Sequence, residues 1–266
     1  MINKLLIFDL KGKMACWKKF YSNSSSLTYD IPTRTNLIGI LASILELPRD
    51  SYYGILDSNN CKISLSLKSD FKKKFQCLNY FKKPNVRDYT QVRLETLIPL
   101  NIQSELLTYR IFVWLNDEEL FEKLIQRIKT GHKGYGIYLG QRQYRGFVDF
   151  VDLLENSSNK KINYIENANK LNSLTNANNI DKNSLKLEGN EEIEIEKMPL
   201  DFIYNGNEEG YIKNNNKLDR ELENVGEIIH SRHADVPLKT NKQFTKVLQI
   251  NYNNTKENIA FYENDF

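Results

Sequence analysis

The chain has only three histidines, and they define two places where side-chain chemistry could occur. His132 is followed by Lys133 and Tyr135. With these residues, or with Tyr21, it could cut RNA without a metal. One group would take the 2′-hydroxyl proton and a cation would stabilise the developing phosphorane. The catalytic candidates are therefore Tyr21, His132 and Lys133, although a histidine in a glycine-rich loop is also an ordinary solvated residue. His230 and His233, with Asp235, have the spacing of metal ligands, but HSRHADVP reads as a loop and no third or fourth ligand is near in sequence. No metal and no cofactor is expected.

Two further segments offer backbone groups. Pro32 precedes Thr33-Arg34-Thr35 at the start of a helical apolar pattern. A helix start carries unpaired N–H groups and a partial positive charge, so it takes phosphate readily. Arg34 would add a bidentate contact, and Ser24, Ser25, Ser26 and Thr28 would add hydroxyl donors. The plain alternative is that Thr33 only caps the helix and Arg34 is a solvated first-turn residue. Residues 131–146, GHKGYGIYLGQRQYRG, hold five glycines and no acid. Glycines let backbone approach a ligand and can form an anion nest. The spacing is neither a phosphate-binding loop of the nucleotide hydrolases nor a dinucleotide fingerprint, since it follows a helix. Tyr135, Tyr138, Arg142 and Arg145 suit a single-strand backbone better; a glycine-rich connector is the alternative.

The elements that must position these residues are legible in outline. Residues 2–10 read as a buried first strand and 11–33 as a long polar loop. Leu37, Ile38, Leu41, Ile44 and Leu45 predict a helix over about 34–46 that stops before Pro48. Residues 61–67 predict a strand, 71–100 an extended hairpin turning at Pro84-Asn85, and 106–115 a central strand. A second helix is capped by Asn116 or Asp117, carries Leu120, Leu124 and Ile128 on one side, and ends at Gly131. Residues 147–154 return as a strand. Over 1–155 this order predicts an α+β, ferredoxin-like core of the RNA-recognition type, with 71–100 as a thumb hairpin. In 156–190, 11 of 35 residues are Asn, which reads as a low-complexity insertion or linker. Residues 191–266 read as a smaller β-rich region, with strands at 192–204, 244–252 and 258–262.

The charge balance is near even: 37 basic against 34 acidic residues, net +3. A uniformly basic nucleic-acid coat is excluded. The balance hides segregation. Residues 11–34, 71–93 and 131–146 together carry a net charge of +13 and 12 of the 30 aromatics, leaving −10 on the rest. Cations interleaved with aromatic rings are what a localised single-stranded surface needs. Cys16, Cys61 and Cys77 form no metal-like or pairable spacing and read as reduced thiols of a cytoplasmic protein. No apolar run approaches the roughly 18 residues of a membrane span, and none resembles a signal peptide.

One resemblance is specific. Trp17-Lys18-Lys19-Phe20-Tyr21, Ser25-Ser26-Leu27-Thr28-Tyr29, Ile31-Pro32, Arg34-Thr35 and then Leu37-Ile38-Gly39 resemble the N-terminus of the CRISPR-associated Cas-five family, within the RAMP superfamily. Gly136-Ile137-Tyr138-Leu139-Gly140-Gln141-Arg142 is similar to that family's glycine-rich loop, with Ile137 where Pro is common. The likeness covers roughly 1–155 and is nearest the type I-B subtype. It implies a ferredoxin-like core with a thumb, in a Cascade surveillance complex for antiviral defence. It implies a non-catalytic subunit that caps the 5′ handle of the CRISPR RNA. The implied partners are that RNA, a Cas-seven backbone subunit and a Cas-eight-type large subunit, with target DNA reached only through the complex. In the I-C subtype a member cuts the repeat with Tyr, Lys and His, which keeps the endoribonuclease alternative open through Tyr21, Lys133 and His132. The combined reading names Lys18, Lys19, Tyr21, Ser25, Ser26, Thr28, Arg34, Lys83, Arg87, Arg93, Lys133, Tyr138 and Arg142 as RNA contacts.

Overall fold

The first apolar run is strand β1 (Lys4–Gly12), and it is buried on both faces: Leu6, Phe8 and Leu10 face one hydrophobic cluster, Leu5 and Ile7 another. A strand covered on both sides reads as a continuous apolar run and not as an alternation. The computed structural model describes residues 2–22, 25–81, 89–156, 161–204 and 220–263. The loop expected over 11–33 contains a short ladder, β2 (Trp17–Lys18) with β3 (Thr28–Tyr29). Helix α1 (Arg34–Leu45) follows and ends at Glu46, whose left-handed backbone (φ 57°) turns its N–H onto the Ala42 and Ser43 carbonyls.

Next come β4 (Cys61–Leu67), the hairpin β5 (Phe71–Phe81) and β6 (Tyr89–Pro99), and β7 (Leu107–Leu115). Helix α2 (Glu118–Lys129) begins at Asp117, whose carboxylate accepts the Leu120 N–H at 2.9 Å. Its first-turn acids Glu118 and Glu119 and last-turn Arg127 and Lys129 complement the helix dipole. Strand β8 (Gly146–Glu155) completes an antiparallel sheet in the order β4-β7-β1-β8. Leu41, Ile44, Leu124 and Ile128 of the two helices share a cluster with Leu6, Phe8 and Ile111, so both helices cover one face of this sheet.

The remaining strands are β9 (Ile162–Ile165), β10 (Ala168–Leu171), β11 (Thr175–Asn176), β12 (Leu185–Lys186), β13 (Ile193–Tyr204), β14 (Arg220–Ser231), β15 (Leu238–Phe244), β16 (Val247–Tyr252) and β17 (Thr255–Ile259). They make three three-stranded sheets, β17-β16-β9, β10-β15-β12 and β11-β14-β13. The first packs Leu248, Ile250 and Ile259 on Leu5, Ile7 and Phe112, closing the second face of the main sheet. The described residues are thus mostly β, with two α-helices and several antiparallel sheets. Among the described residues no helix is long and apolar enough to cross a membrane.

The reading of 156–190 as a linker needs correction. Its described part contributes paired strands and buried side chains, with residues 173–177 all buried. Leu171 and Leu174 are buried, and β9, β10, β11 and β12 each pair with a strand from beyond residue 219. Three asparagines, Asn172, Asn176 and Asn179, use their side chains in hydrogen bonds. The Asn176 side-chain oxygen Oδ1 accepts the Asn178 N–H at 3.1 Å, and its side-chain Nδ2 donates to the Tyr262 carbonyl at 3.1 Å. The C-terminal region is not a separate body either, because Leu174, Met198, Ile228 and Tyr262 sit in the same cluster as α1.

Candidate nucleic-acid interface

The loop before α1 is held by backbone pairing to the hairpin. The Ser26 N–H donates to the Arg93 carbonyl at 2.8 Å and the Glu95 N–H to the Ser26 carbonyl at 2.9 Å, while Ala15 and Leu97 exchange bonds at 3.1 and 2.8 Å. Both ends of the loop thus pair with β6 at the base of the hairpin. Thr28 is buried: its hydroxyl accepts the Trp17 N–H and donates to the Tyr29 carbonyl, both at 2.8 Å, and its N–H donates to Glu95 at 2.9 Å. It is a fastener of the loop and not an RNA contact. Trp17 and Tyr29 are buried beneath it, which turns Lys18, Phe20 (48% exposed) and Tyr21 (53%) outward. Lys18 makes no ion pair among the described residues. Lys19 is half-buried, pairs with Glu196, and lies 5.3 Å from the Tyr29 ring, so its charge is already matched. Ser25 and Ser26 are partly exposed.

The helix start corrects a second expectation. Thr33 is the N-cap: its hydroxyl accepts the Asn36 N–H at 3.2 Å, and its own N–H reaches the Asn36 side chain at 3.3 Å. Arg34 points inward and is fully buried. Its five N–H donors are all used: on the carbonyls of Leu56 (3.1 Å), Cys61 (2.8 Å) and Leu200 (3.2 Å), on Asp201 (2.5 Å), and on Glu263. It cannot hold a phosphate. Its partners at 201 and 263 are too distant in sequence for any local pattern to show.

The glycine-rich segment approaches its own chain more than a ligand. A Cβ on Gly134 (φ +52°) would fall 1.8 Å from the Ser43 carbonyl oxygen, and one on Gly140 (φ +86°) 1.9 Å from that of Cys16. These two contacts lash the segment to the end of α1 and to the loop before β2. Between them Tyr135 (64% exposed) stands outward, with its hydroxyl on the Glu46 carbonyl at 3.1 Å. Tyr138 is partly exposed, and Lys133 and Arg142 are exposed with no ion pair among the described residues. His132 Nε2 lies 2.8 Å from Glu46 Oε1, and Arg127 donates to the other carboxylate oxygen at 2.7 Å. The hydrogen bonds from His132 and Arg127 hold the Glu46 carboxyl below its ordinary range.

Two of the catalytic candidates make contacts of their own. Tyr21 rests its ring on Phe20 (5.3 Å) and Tyr29 (6.5 Å), while His132 is engaged by Glu46 beyond the C-terminal end of α1. The residues of the histidine motif have other partners too. His230 is buried, with Nδ1 3.0 Å from the Ser231 carbonyl, and Asp235 accepts from Lys68 at 2.6 Å. Among the described residues no group of three or more His, Cys, Asp or Glu is placed to hold a metal. On the hairpin, Lys72, Lys74 and Arg93 are exposed, Phe75 is 60% exposed, and Lys73 is taken by Asp30 at 2.7 Å. Lys83 and Arg87, like Ser24, lie outside the described residues.

What the fold does create is an open groove of about 530 Å³ along α1. Lys18 and Phe20 come from the loop, Tyr135, Gly136, Tyr138 and Gly140 from the glycine-rich segment, and Asn36, Gly39 and Ser43 from the helix. Also lining it, and not singled out by the sequence reading, are Arg49, Tyr52, Tyr53 and Phe202. The Arg49, Tyr52-Tyr53 cluster just past α1 is a basic-aromatic signal of the same type as the three windows. Phe202 had no such signal.

Comparison with known proteins adds to this geometry. The family model described as CRISPR-associated protein (Cas_Cas5), of the Cas5d type, matches residues 5–213. No curated protein matches. Among solved structures, the crystal structure of a CRISPR protein from Archaeoglobus fulgidus is similar in fold at 13% identity and TM-score 0.50, covering 96% of this chain and 98% of that one. A chain of a CRISPR RNA-guided surveillance complex aligns at 13% identity and TM-score 0.42, covering 88% and 91%. The chain spans 58% of the length of another, a Cas protein crystal structure, at 16% identity, TM-score 0.35 and 53% coverage of this chain.

Proposed function

Since the chain belongs to the CRISPR-associated Cas-five family, we propose that it is a non-catalytic RNA-binding subunit of a type I surveillance complex, of the I-B kind. It holds the repeat-derived 5′ handle of the CRISPR RNA at the groove along α1. It docks in the cytoplasm against a Cas-seven backbone subunit and a Cas-eight-type large subunit. The helix-covered sheet, β4-β7-β1-β8, is on this reading the ferredoxin-like RNA-binding core, and the β5–β6 hairpin its thumb.

The observation that carries the proposal is the groove itself, where residues from two of the three basic-aromatic segments meet on one helix. Lys18 at the groove and Arg142, two residues past Gly140, neutralise phosphates, and the exposed rings of Phe20, Tyr21 and Tyr135, with the partly exposed Tyr138, supply faces for unstacked bases. Ser25, Ser26 and Arg93 extend the site toward the hairpin, and Lys133 extends it beyond the C-terminal end of α1. Arg34 and Thr28 support the site from beneath. The endoribonuclease alternative, through Tyr21, Lys133 and His132, is distinguished from this reading by the assay below.

The test is to incubate purified chain with repeat RNA in metal-free buffer and follow both binding and integrity. The proposal expects salt-sensitive binding of intact RNA. Cleaved repeat RNA whose cleavage is abolished by His132→Ala would replace it with the ribonuclease reading.

A further inference from the structure

Gly39 sits in the middle of α1, where glycine is the poorest helix former apart from proline. Its backbone is not left-handed. A Cβ built there would meet nothing closer than the Tyr52 hydroxyl, at 3.6 Å, which is ordinary van der Waals contact. Neither conformation nor packing asks for glycine at this position. Gly39 is among the residues lining the groove, and its missing side chain leaves the space up to the Tyr52 hydroxyl open.

Aromatic residues line the groove from two parts of the chain. Just past α1, the Tyr52 ring lies 4.8 Å from Tyr53 at 54°, and Tyr53 lies 5.9 Å from Phe202, so three rings brace one another. The glycine-rich segment supplies Tyr135 and Tyr138. Arg49, largely exposed and 3.2 Å from Asp50, and the exposed Lys18 are the cations of the lining. The volume, about 530 Å³, falls within the roughly 300–1,000 Å³ of small-ligand pockets. Aromatic side chains stack with the π-face of any base, and cations beside them meet phosphates.

Resting on the RNA-binding reading above, we propose that the groove is a single-nucleotide pocket: one RNA base leaves the stack and lies over Gly39 against Tyr52. Its flanking phosphates are held at Lys18 and Arg49. Arg49, Tyr52 and Gly39 thereby join the binding residues, and the pocket fixes the register in which the strand crosses α1.

Fluorescence anisotropy of the full chain tests this, using a short single-stranded RNA of repeat sequence and versions carrying one abasic nucleotide at each position in turn. One abasic position should weaken binding about tenfold or more while its neighbours change little. Gly39→Leu, which fills that space, should bind intact RNA as weakly as the parent binds that abasic RNA, with no further loss when both changes are combined. Gly39→Ala guards against misfolding. Its melting temperature should equal or exceed the parent's, and it should still weaken binding severalfold. Parent-like affinity in folded Gly39→Leu or Gly39→Ala, or equal loss at every abasic position, overturns the pocket while RNA binding stands. Failure of the parent to bind any of these RNAs overturns the RNA-binding reading, and the pocket with it.

Discussion

Arg34 and Glu263, 229 residues apart in sequence, form a fully buried ion pair that fastens the start of the first helix to the last described residues. Glu263 also accepts the Ile63 N–H at 3.2 Å, so the same carboxylate ties α1 to β4. Burial pushes the Glu263 carboxyl above its ordinary range, and the Arg34 guanidinium opposes that shift. The Arg-Thr dipeptide of the N-terminal motif is therefore an architectural clasp beneath the groove.

Removing the arginine leaves Asp201 and Glu263 buried without their cation. Arg34→Met should cost about 3–5 kcal/mol of folding stability. Chemical denaturation of parent and variant checks it. A loss below about 1 kcal/mol would mean that the pair is not closed in solution.

Glycine positions in the glycine-rich segment should separate cleanly. Gly134→Ala meets the Ser43 carbonyl as well as an unfavourable φ, and should cost about 3 kcal/mol. Gly131→Ala, at φ +69° with nothing within 4 Å, carries only the backbone term, about 1 kcal/mol. Melting curves of the two variants check the ranking; equal losses would contradict the close approach to α1.

His230 supplies a pH dependence whose sign follows from its burial, which holds its pKa below the ordinary histidine value of 6.5. Asp30 and Glu194 favour the charged form and Arg232 opposes it, but burial outweighs them. As pH falls through about 6.5 the unfolded chain binds a proton that the folded chain refuses, so stability falls with pH below that point. His230→Gln should flatten this part of the stability profile between pH 7 and 5. A variant whose profile matches the parent's would show that His230 protonates as easily when folded.

Much of this protein is legible in its sequence, for identifiable reasons. Helix α2 announces itself through Asp117, its apolar stripe and Gly131, all local signals. Strand β1 is legible as an apolar run, and Pro84-Asn85 marks the turn expected between β5 and β6, though those two residues lie outside the described ones. Arg34 and Thr28 were misassigned because burial is set by partners far along the chain, Asp201 and Glu263 for one and Glu95 for the other. The asparagines of 161–190 looked like linker composition because a side chain that closes turns and caps is, by type, the same as one that faces water. Glycines near Tyr138 suggested ligand approach, and only the fold shows that Gly134 and Gly140 approach Ser43 and Cys16.

The central claim, that exposed cations around α1 hold one RNA strand, is tested most directly by the salt dependence of repeat-RNA binding. Lys18→Ala and Arg142→Ala touch no ion pair of the described fold, so both should keep the parent's melting temperature. Each should weaken binding and reduce the slope of log K against log salt by about 0.7, the single-strand value for one lost phosphate contact. Parent-like affinity and slope in both variants would contradict the account.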